Sequence, residues 1–337
     1  MAVTIDGAQK RIGLALSGGG FRAAAFHLGV FRKLQDLGLL WKLDLLSCVS
    51  GGSIAGAFLA ARWGEAGALD ALDNYLRTRS IAVSSVVGGI LDPFESRLDK
   101  LRESYDRDLF KKRTLSSLAN GPRIYLNATN LSTGNLFFFV AGGGGPAEMG
   151  EWELGQCRAD DVEISEAVAA SSAFPPVFPP LRLDQSRYPA AGVDYVTLTD
   201  GGVYDNLGVN PLLRTKRNRL DYAMVSDAGK PFATDERPAE SGAGVLTETI
   251  GIFMEQVRGL QFRRLELLGL RNGAKAVWFS IDSVEGEAQT GDSAFASGVG
   301  TNLKRLSPAE MEVLGRHGGA LLRARLERYA PELLGAH

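Results

Sequence analysis

The sequence predicts an α/β fold, with a central and mainly parallel sheet flanked by helices, and three observations carry that expectation. Strand-length apolar runs at Ile12–Leu16 and 43–49 each stop at a glycine turn, Ser17-Gly18-Gly19-Gly20 and Ser50-Gly51-Gly52. Each turn opens a segment of helical character: Ala24, Leu28, Phe31, Leu34 and Leu37 recur at helical spacing, and 54–63 is rich in alanine. Later strand-length runs at 195–199, 222–226 and 276–281 are separated by further helical stretches. Strands that alternate with helices pair in parallel through right-handed crossovers, and sites in such sheets lie at the C-terminal ends of the strands.

Between these elements the chain is less regular. Residues 98–110 carry charges around an apolar stripe and predict a surface helix; the lysines and arginines from Arg97 to Arg113 are interleaved with acids, as on a solvated face. Residues 123–140, rich in β-branched and aromatic side chains and broken at Ser132-Thr133-Gly134-Asn135, predict a hairpin. A helix over 164–173 ends at Phe174-Pro175-Pro176-Val177-Phe178-Pro179-Pro180, a stiff extended loop because proline fixes φ and removes a donor. The strand at 195–199 stops at Asp200-Gly201-Gly202, and that at 222–226 at Asp227-Ala228-Gly229. Residues 250–268 and Pro308–Tyr329 predict long amphipathic helices, and the polar, proline- and glycine-bearing stretch 230–244 predicts a mobile excursion. With no linker or internal repeat, residues 1–337 are expected to form one domain, its motifs within 12–229 and its last part, 230–337, completing or covering it.

Composition narrows the function. The net charge of −2 leaves no basic field for phosphates, so no nucleic-acid partner is expected. No apolar run approaches the roughly 18 residues of a membrane span, so any membrane contact is expected to be transient and peripheral. Residues 1–11 hold no apolar signal core, and the expected compartment is the cytoplasm. Cys48 and Cys157 cannot build a disulfide framework, and three histidines, His27, His317 and His337, leave little for a metal; neither metal nor cofactor is expected. Oligomeric state has no signature in the sequence.

The turn at 17–20 lies where a strand feeds a helix, so the N–H groups of Gly18, Gly19 and Gly20 can point into one concavity at a positive helix end. A P-loop would need Gly-Lys-Ser/Thr after the glycines, and Phe21-Arg22-Ala23 follows. Gly18-x-Gly20-x-x-Ala23 fits a dinucleotide fingerprint in spacing, but the next strand ends at Ser50 and not at an acid. An oxyanion hole remains, and it requires a nucleophile. Cys48-Val49-Ser50-Gly51-Gly52 matches a nucleophile elbow at its serine and final glycine, with Cys48 in place of the first glycine. A serine needs a base, and none of the histidines is well placed: His27 lies within the first helix, His317 on the last, His337 at the end. An acid is the remaining candidate. Asp200 is presented by Gly201-Gly202, and Asp227 is the rival base or a structural cap. Taken singly, each motif also reads as a plain turn.

Taken together, Gly18-Gly19-Gly20-Phe21-Arg22, the elbow at Ser50 with Ser53-Ile54-Ala55-Gly56 behind it, the proline loop after Ala173 and Asp200-Gly201-Gly202 resemble the patatin-like phospholipase family of lipid acyl hydrolases, in order over residues 12–229. The resemblance implies a three-layer α/β/α fold and a Ser-Asp dyad, Ser50 as nucleophile and Asp200 as base. It implies an oxyanion hole from Gly18, Gly19 and Gly20, with Arg22, Gly51, Gly52, Gly201 and Gly202 in support. Arg22 is expected to fix the glycine loop rather than to draw an anionic head group. The implied substrate is a phospholipid or other fatty-acyl ester. Phe174 and Phe178 are candidates for its channel, and 81–94 is a candidate flap whose apolar residues read first as core. The chain departs from the family at Cys48 and Ala23, where glycine is usual; both are small, so altered rate or geometry is expected rather than loss. Acyl transfer or thioester hydrolysis on the same dyad, and a non-catalytic lipid- or anion-binding module, are the alternatives.

Overall fold

The strands of this chain are apolar on both faces because helices cover both, the pattern of a buried parallel sheet. A computed structural model of the protein describes residues 3–81, 95–231, 238 and 240–335. The sheet is built from β1 (Ile12–Leu16), β2 (Leu45–Val49), β3 (Arg123–Asn130), β4 (Leu136–Ala141), β5 (Tyr195–Asp200), β6 (Tyr222–Asp227) and β7 (Lys275–Ser280). β7, β6, β1, β2 and β3 lie side by side in parallel. β4 pairs antiparallel with β3, and the short strands Glu148–Glu151 and Gly155–Arg158 extend that edge as a meander. The sheet is therefore mixed, with a parallel centre and an antiparallel wing.

Alternation along each strand divides the core. Leu14, Leu16, Leu46, Cys48, Leu126 and Met224 face one side, beneath α1 (Gly20–Asp36), α2 (Gly51–Ala61) and the C-terminal helix; Ala15, Leu45, Tyr125 and Val225 face the other, with Leu207, Leu212 and Leu265. Leu265 belongs to α3 (Gly242–Asn272), and the C-terminal helix is α4 (Pro308–Tyr329). The start of α4 is fixed by a capping box, Ser307 Oγ accepting from the Glu310 N–H while the Glu310 carboxylate accepts from the Ser307 N–H.

β3 holds the site together, because two strands share one of its edges. Its first half pairs in parallel with β2, as far as Val49 opposite Asn127. The same edge then pairs antiparallel with β5, beginning at Asp200 opposite Ala128. The C-terminal ends of β2 and β5 thus meet head to head on neighbouring rungs. Gly201 is required there: a Cβ at that position would stand 2.3 Å from the Asn127 carbonyl oxygen and 3.3 Å from a Val49 methyl.

The differences from expectation are local. The helix expected over 250–268 begins already at Gly242, taking in the end of the expected excursion; 232–237 and 239 lie outside the described residues. Of the candidate flap only Ile81 is described, buried and bonded through its N–H to the Leu303 carbonyl; 82–94 lie outside. The helix expected over 98–110 is Glu95–Tyr105 followed by a wide turn, Asp106–Phe110, and it sends Leu101, Tyr105 and Phe110 into the core.

Cys48 also finds its account in the packing. Its side chain is fully buried, and a Cβ on Gly56 would lie 2.4 Å from the Cys48 sulfur, so the thiol occupies the space that Gly56 leaves open. Gly56→Ala is expected to cost about 1–3 kcal/mol through overpacking. Adding Cys48→Ala should recover most of that loss in denaturant unfolding.

Candidate active site

Ser50 sits in the elbow between β2 and α2 with φ +51° and ψ −115°, backbone angles of a kind that cost a non-glycine residue about 1–3 kcal/mol and persist only where neighbours hold them. Both sides of the turn are held. The Ser50 carbonyl accepts from the N–H groups of Ser53 (2.9 Å) and Ile54 (3.1 Å), the opening of α2. The Ser50 N–H donates to Ser171 Oγ at 3.0 Å. Ser171 in turn gives its proton to the Asn127 carbonyl at 2.6 Å, so Ser53 Oγ, 2.8 Å away, is the donor in their contact. Gly51 and Gly52 let α2 approach: Cβ atoms there would lie 2.2 Å from the Gly20 and Leu16 carbonyl oxygens.

Asp200 ends β5 and is 2% exposed. Its N–H donates to the Ala173 carbonyl and its own carbonyl accepts from Thr129 Oγ1, so the main chain is fixed on both sides. The carboxylate accepts from the Gly202 N–H at 2.7 Å, and the Ser50 hydroxyl lies close enough to lower its pKa. Burial pushes its pKa up from 3.8 to about 7, with the Gly202 and Ser50 hydrogen bonds pulling the other way. A carboxylate of ordinary acidity is a poor base for a serine; one poised near 7 is matched to the task.

The glycine turn faces the same space. Gly19 and Gly20 take φ +142° and +62°, and among the described residues their N–H groups meet no acceptor. Gly18 differs from expectation: its N–H is committed to the Asn206 carbonyl at 3.1 Å, so it is no donor to an oxyanion. It serves by its size, since a Cβ there would lie 3.2 Å from Ser50 Cβ and 2.4 Å from Asn206 Oδ1. Two helix N-termini, those of α1 and α2, converge here and favour negative charge. Arg22 is fully buried and donates to the carbonyls of Ala228 (2.8 Å) and Val299 (3.0 Å); burial lowers its pKa to about 10 against the pull of Asp227. It braces the loops behind the glycine turn and is closed off from a head group.

Ser50, Asp200, the three glycines, Phe174 and Phe178 line one cavity of about 1730 Å³. The rival base is committed elsewhere: Asp227 accepts from Arg258 Nε at 2.7 Å and from the Gly229 N–H at 3.0 Å. His27 is buried behind the glycine turn, Nε2 donating to the Ser17 carbonyl and Nδ1 accepting from Ser226, and burial lowers its pKa to about 4. His317 is buried on α4 and donates to the Ile281 carbonyl; His337 lies outside the described residues. Sequence reasoning missed Ser171 and Asn206. The run of small residues at 169–173 signalled close packing there but not the partner.

A family model described as patatin-like phospholipase matches residues 14–213. No curated protein matches the chain in a sequence search. Among solved structures, human GIVD cytosolic phospholipase A2 is similar at 14% identity and a TM-score of 0.56, over 94% of this chain and 63% of that one. The same human protein in complex with methyl gamma-linolenyl fluorophosphonate gives 14% identity and a TM-score of 0.57, over 95% and 57%. This chain therefore spans less than two thirds of the length of those structures, and the likeness is one of fold: a three-layer α/β/α arrangement around a mixed sheet.

The Ser171 contacts make a specific expectation. Ser171→Ala leaves the Asn127 carbonyl and the Ser50 N–H without their buried partner and is expected to destabilise the protein by about 1–3 kcal/mol in denaturant unfolding.

Proposed function

Because this chain belongs to the patatin-like phospholipase family, we propose that it is a serine lipid acyl hydrolase working through Ser50 and Asp200. The observation that supports this most is a buried carboxylate, raised to about 7 and felt by the Ser50 hydroxyl beside it, at the wall of a cavity that Phe174 and Phe178 also line. The substrate is a phospholipid or another fatty-acyl ester.

In the first half-reaction Asp200 takes the Ser50 proton as Oγ attacks the ester carbonyl carbon. Charge develops on the carbonyl oxygen, and the Gly19 and Gly20 N–H groups, already oriented and without another acceptor among the described residues, stabilise it. The tetrahedral intermediate collapses, the C–O bond to the alcohol breaks, and Asp200 returns the proton to the leaving alkoxide. Water then attacks the acyl-serine carbonyl with Asp200 again as base, the C–O bond to Ser50 Oγ breaks, Asp200 returns the proton to Oγ, and the fatty acid departs. Arg22, Ser171 and Thr129 act on positions and not on protons. Cys48, where the family usually has glycine, is packed against Gly56 and is not among the residues that line the cavity.

The test is hydrolysis of a lipid panel, with products identified by mass spectrometry. Ser50→Ala should release no fatty acid, and folded Asp200→Asn should be slower by roughly 10²–10⁴-fold. The base acts in its ionised form, so activity should be lost as pH falls through about 7. Full activity in folded Asp200→Asn would move the base role to another residue, and acylated lysolipid in place of free fatty acid would make the enzyme a transferase.

A further inference from the structure

An acyl hydrolase of aggregated lipid has to bring its cavity to a lipid surface, and the helix beside the cavity mouth carries an apolar face that none of the described residues covers. The inward side of α3 is packed: Gln261 and Leu265 are buried and Phe262 lies 3.9 Å from Trp278, centroid to centroid. On the outward side Leu246, Phe253, Leu260 and Leu267 are exposed by 52%, 65%, 59% and 47%. Each follows the last by seven residues, a spacing that drifts by roughly 20° per step on a straight helix, so the four form one slanted stripe.

A sevenfold repeat raises the question of a second helix as partner. The other seam positions of such a pair would be Thr249, Gln256 and Arg263 in one register or Ile250, Val257 and Arg264 in the other, so a coiled coil would place an arginine in its seam in either register. A lipid surface imposes no such demand, because polar residues beside the stripe remain at the head groups. The charges suit an anionic surface. Arg263 is exposed on the stripe side, while Arg264 turns its guanidinium to Asn210 and Gln261; Glu248 and Glu255 line the cavity, and Glu266 lies about 100° round the helix from Leu267. Lys304 and Arg305 stand exposed at the cavity wall. The stripe is also continuous with the site, since Ile252, 44% exposed beside Phe253, lines the cavity.

We propose that α3 docks the protein on an anionic lipid surface, with the Leu246 to Leu267 stripe among the acyl chains and the cavity mouth against the bilayer. This rests on the hydrolase reading and names the surface from which its substrate enters.

The test separates the two claims. Binding is measured on the full-length Ser50→Ala chain, by sedimentation with vesicles of equal parts phosphatidylcholine and phosphatidylglycerol, so it does not depend on turnover. Phe253→Glu with Leu260→Glu should weaken that binding by roughly tenfold or more while leaving the melting temperature unchanged, because both side chains are exposed. With Ser50 intact, the same pair should spare hydrolysis of a water-soluble short-chain ester and depress hydrolysis of vesicle lipid. Unchanged vesicle binding would overturn the docking surface. A dimer in vesicle-free solution that the two substitutions convert to monomer would overturn it too, by making the occupant a second copy. A wild-type protein that hydrolyses no ester, yet whose vesicle binding falls as expected, would sink the hydrolase reading and leave the docking surface standing.

Discussion

The head-to-head meeting of β2 and β5 along one edge of β3 is the constraint on which the rest of the site depends. Val49 and Asp200 occupy neighbouring rungs, opposite Asn127 and Ala128, so the residue that leaves β2 and the carboxylate that ends β5 are brought together by main-chain pairing. Strand pairing is stiff and its register is enforced by burial on both faces; a slip of one residue would turn every side chain over. The serine–carboxylate contact is thereby set by the sheet and not by a loop.

The same junction creates the need for the polar residues around it. The chain turns out of the sheet at Ser50, and the hydroxyl of Ser171 joins the Asn127 carbonyl to the Ser50 N–H across the gap. Asn127 adds a second tie, its amide donating to Ser47 Oγ and to the Cys48 carbonyl. Burial then does the chemical work on Asp200, while Gly202 and Ser50 leave it enough hydrogen bonding to ionise near neutrality. On the other side Arg22 fastens the loops at Ala228 and Val299, behind the N–H groups of Gly19 and Gly20, which meet no acceptor among the described residues and lie at two helix ends. Preorganised donors of this kind need not reorient as charge develops.

Much of this was legible in the sequence because local patterns encode it. The strand, glycine turn and helix units gave the parallel centre of the sheet, and glycines at 18–20, 51–52 and 201–202 marked the close approaches. The scarcity of histidine turned attention to an acid. What stayed hidden depends on distant contacts. No local pattern could say that the Gly18 N–H is spent on Asn206, or that Ser171 completes the elbow from more than a hundred residues away. The antiparallel wing was legible only at its first hairpin, since the short strands Glu148–Glu151 and Leu181–Asp184 carry too few residues to show a period. The early start of α3 was masked by the glycines and polar residues of its first turn, and its exposed stripe shows as such only when the opposite face is seen to be packed.

The central claim, that Ser50 is activated by Asp200 in this junction, is tested most directly by the rate at which a fluorophosphonate labels the protein, with the modified residue mapped by mass spectrometry. The account predicts a single adduct on Ser50, formed more slowly as pH drops below about 7 and strongly slowed in folded Asp200→Asn. An adduct elsewhere, or labelling of Ser50 at an undiminished rate in folded Asp200→Asn, would contradict it.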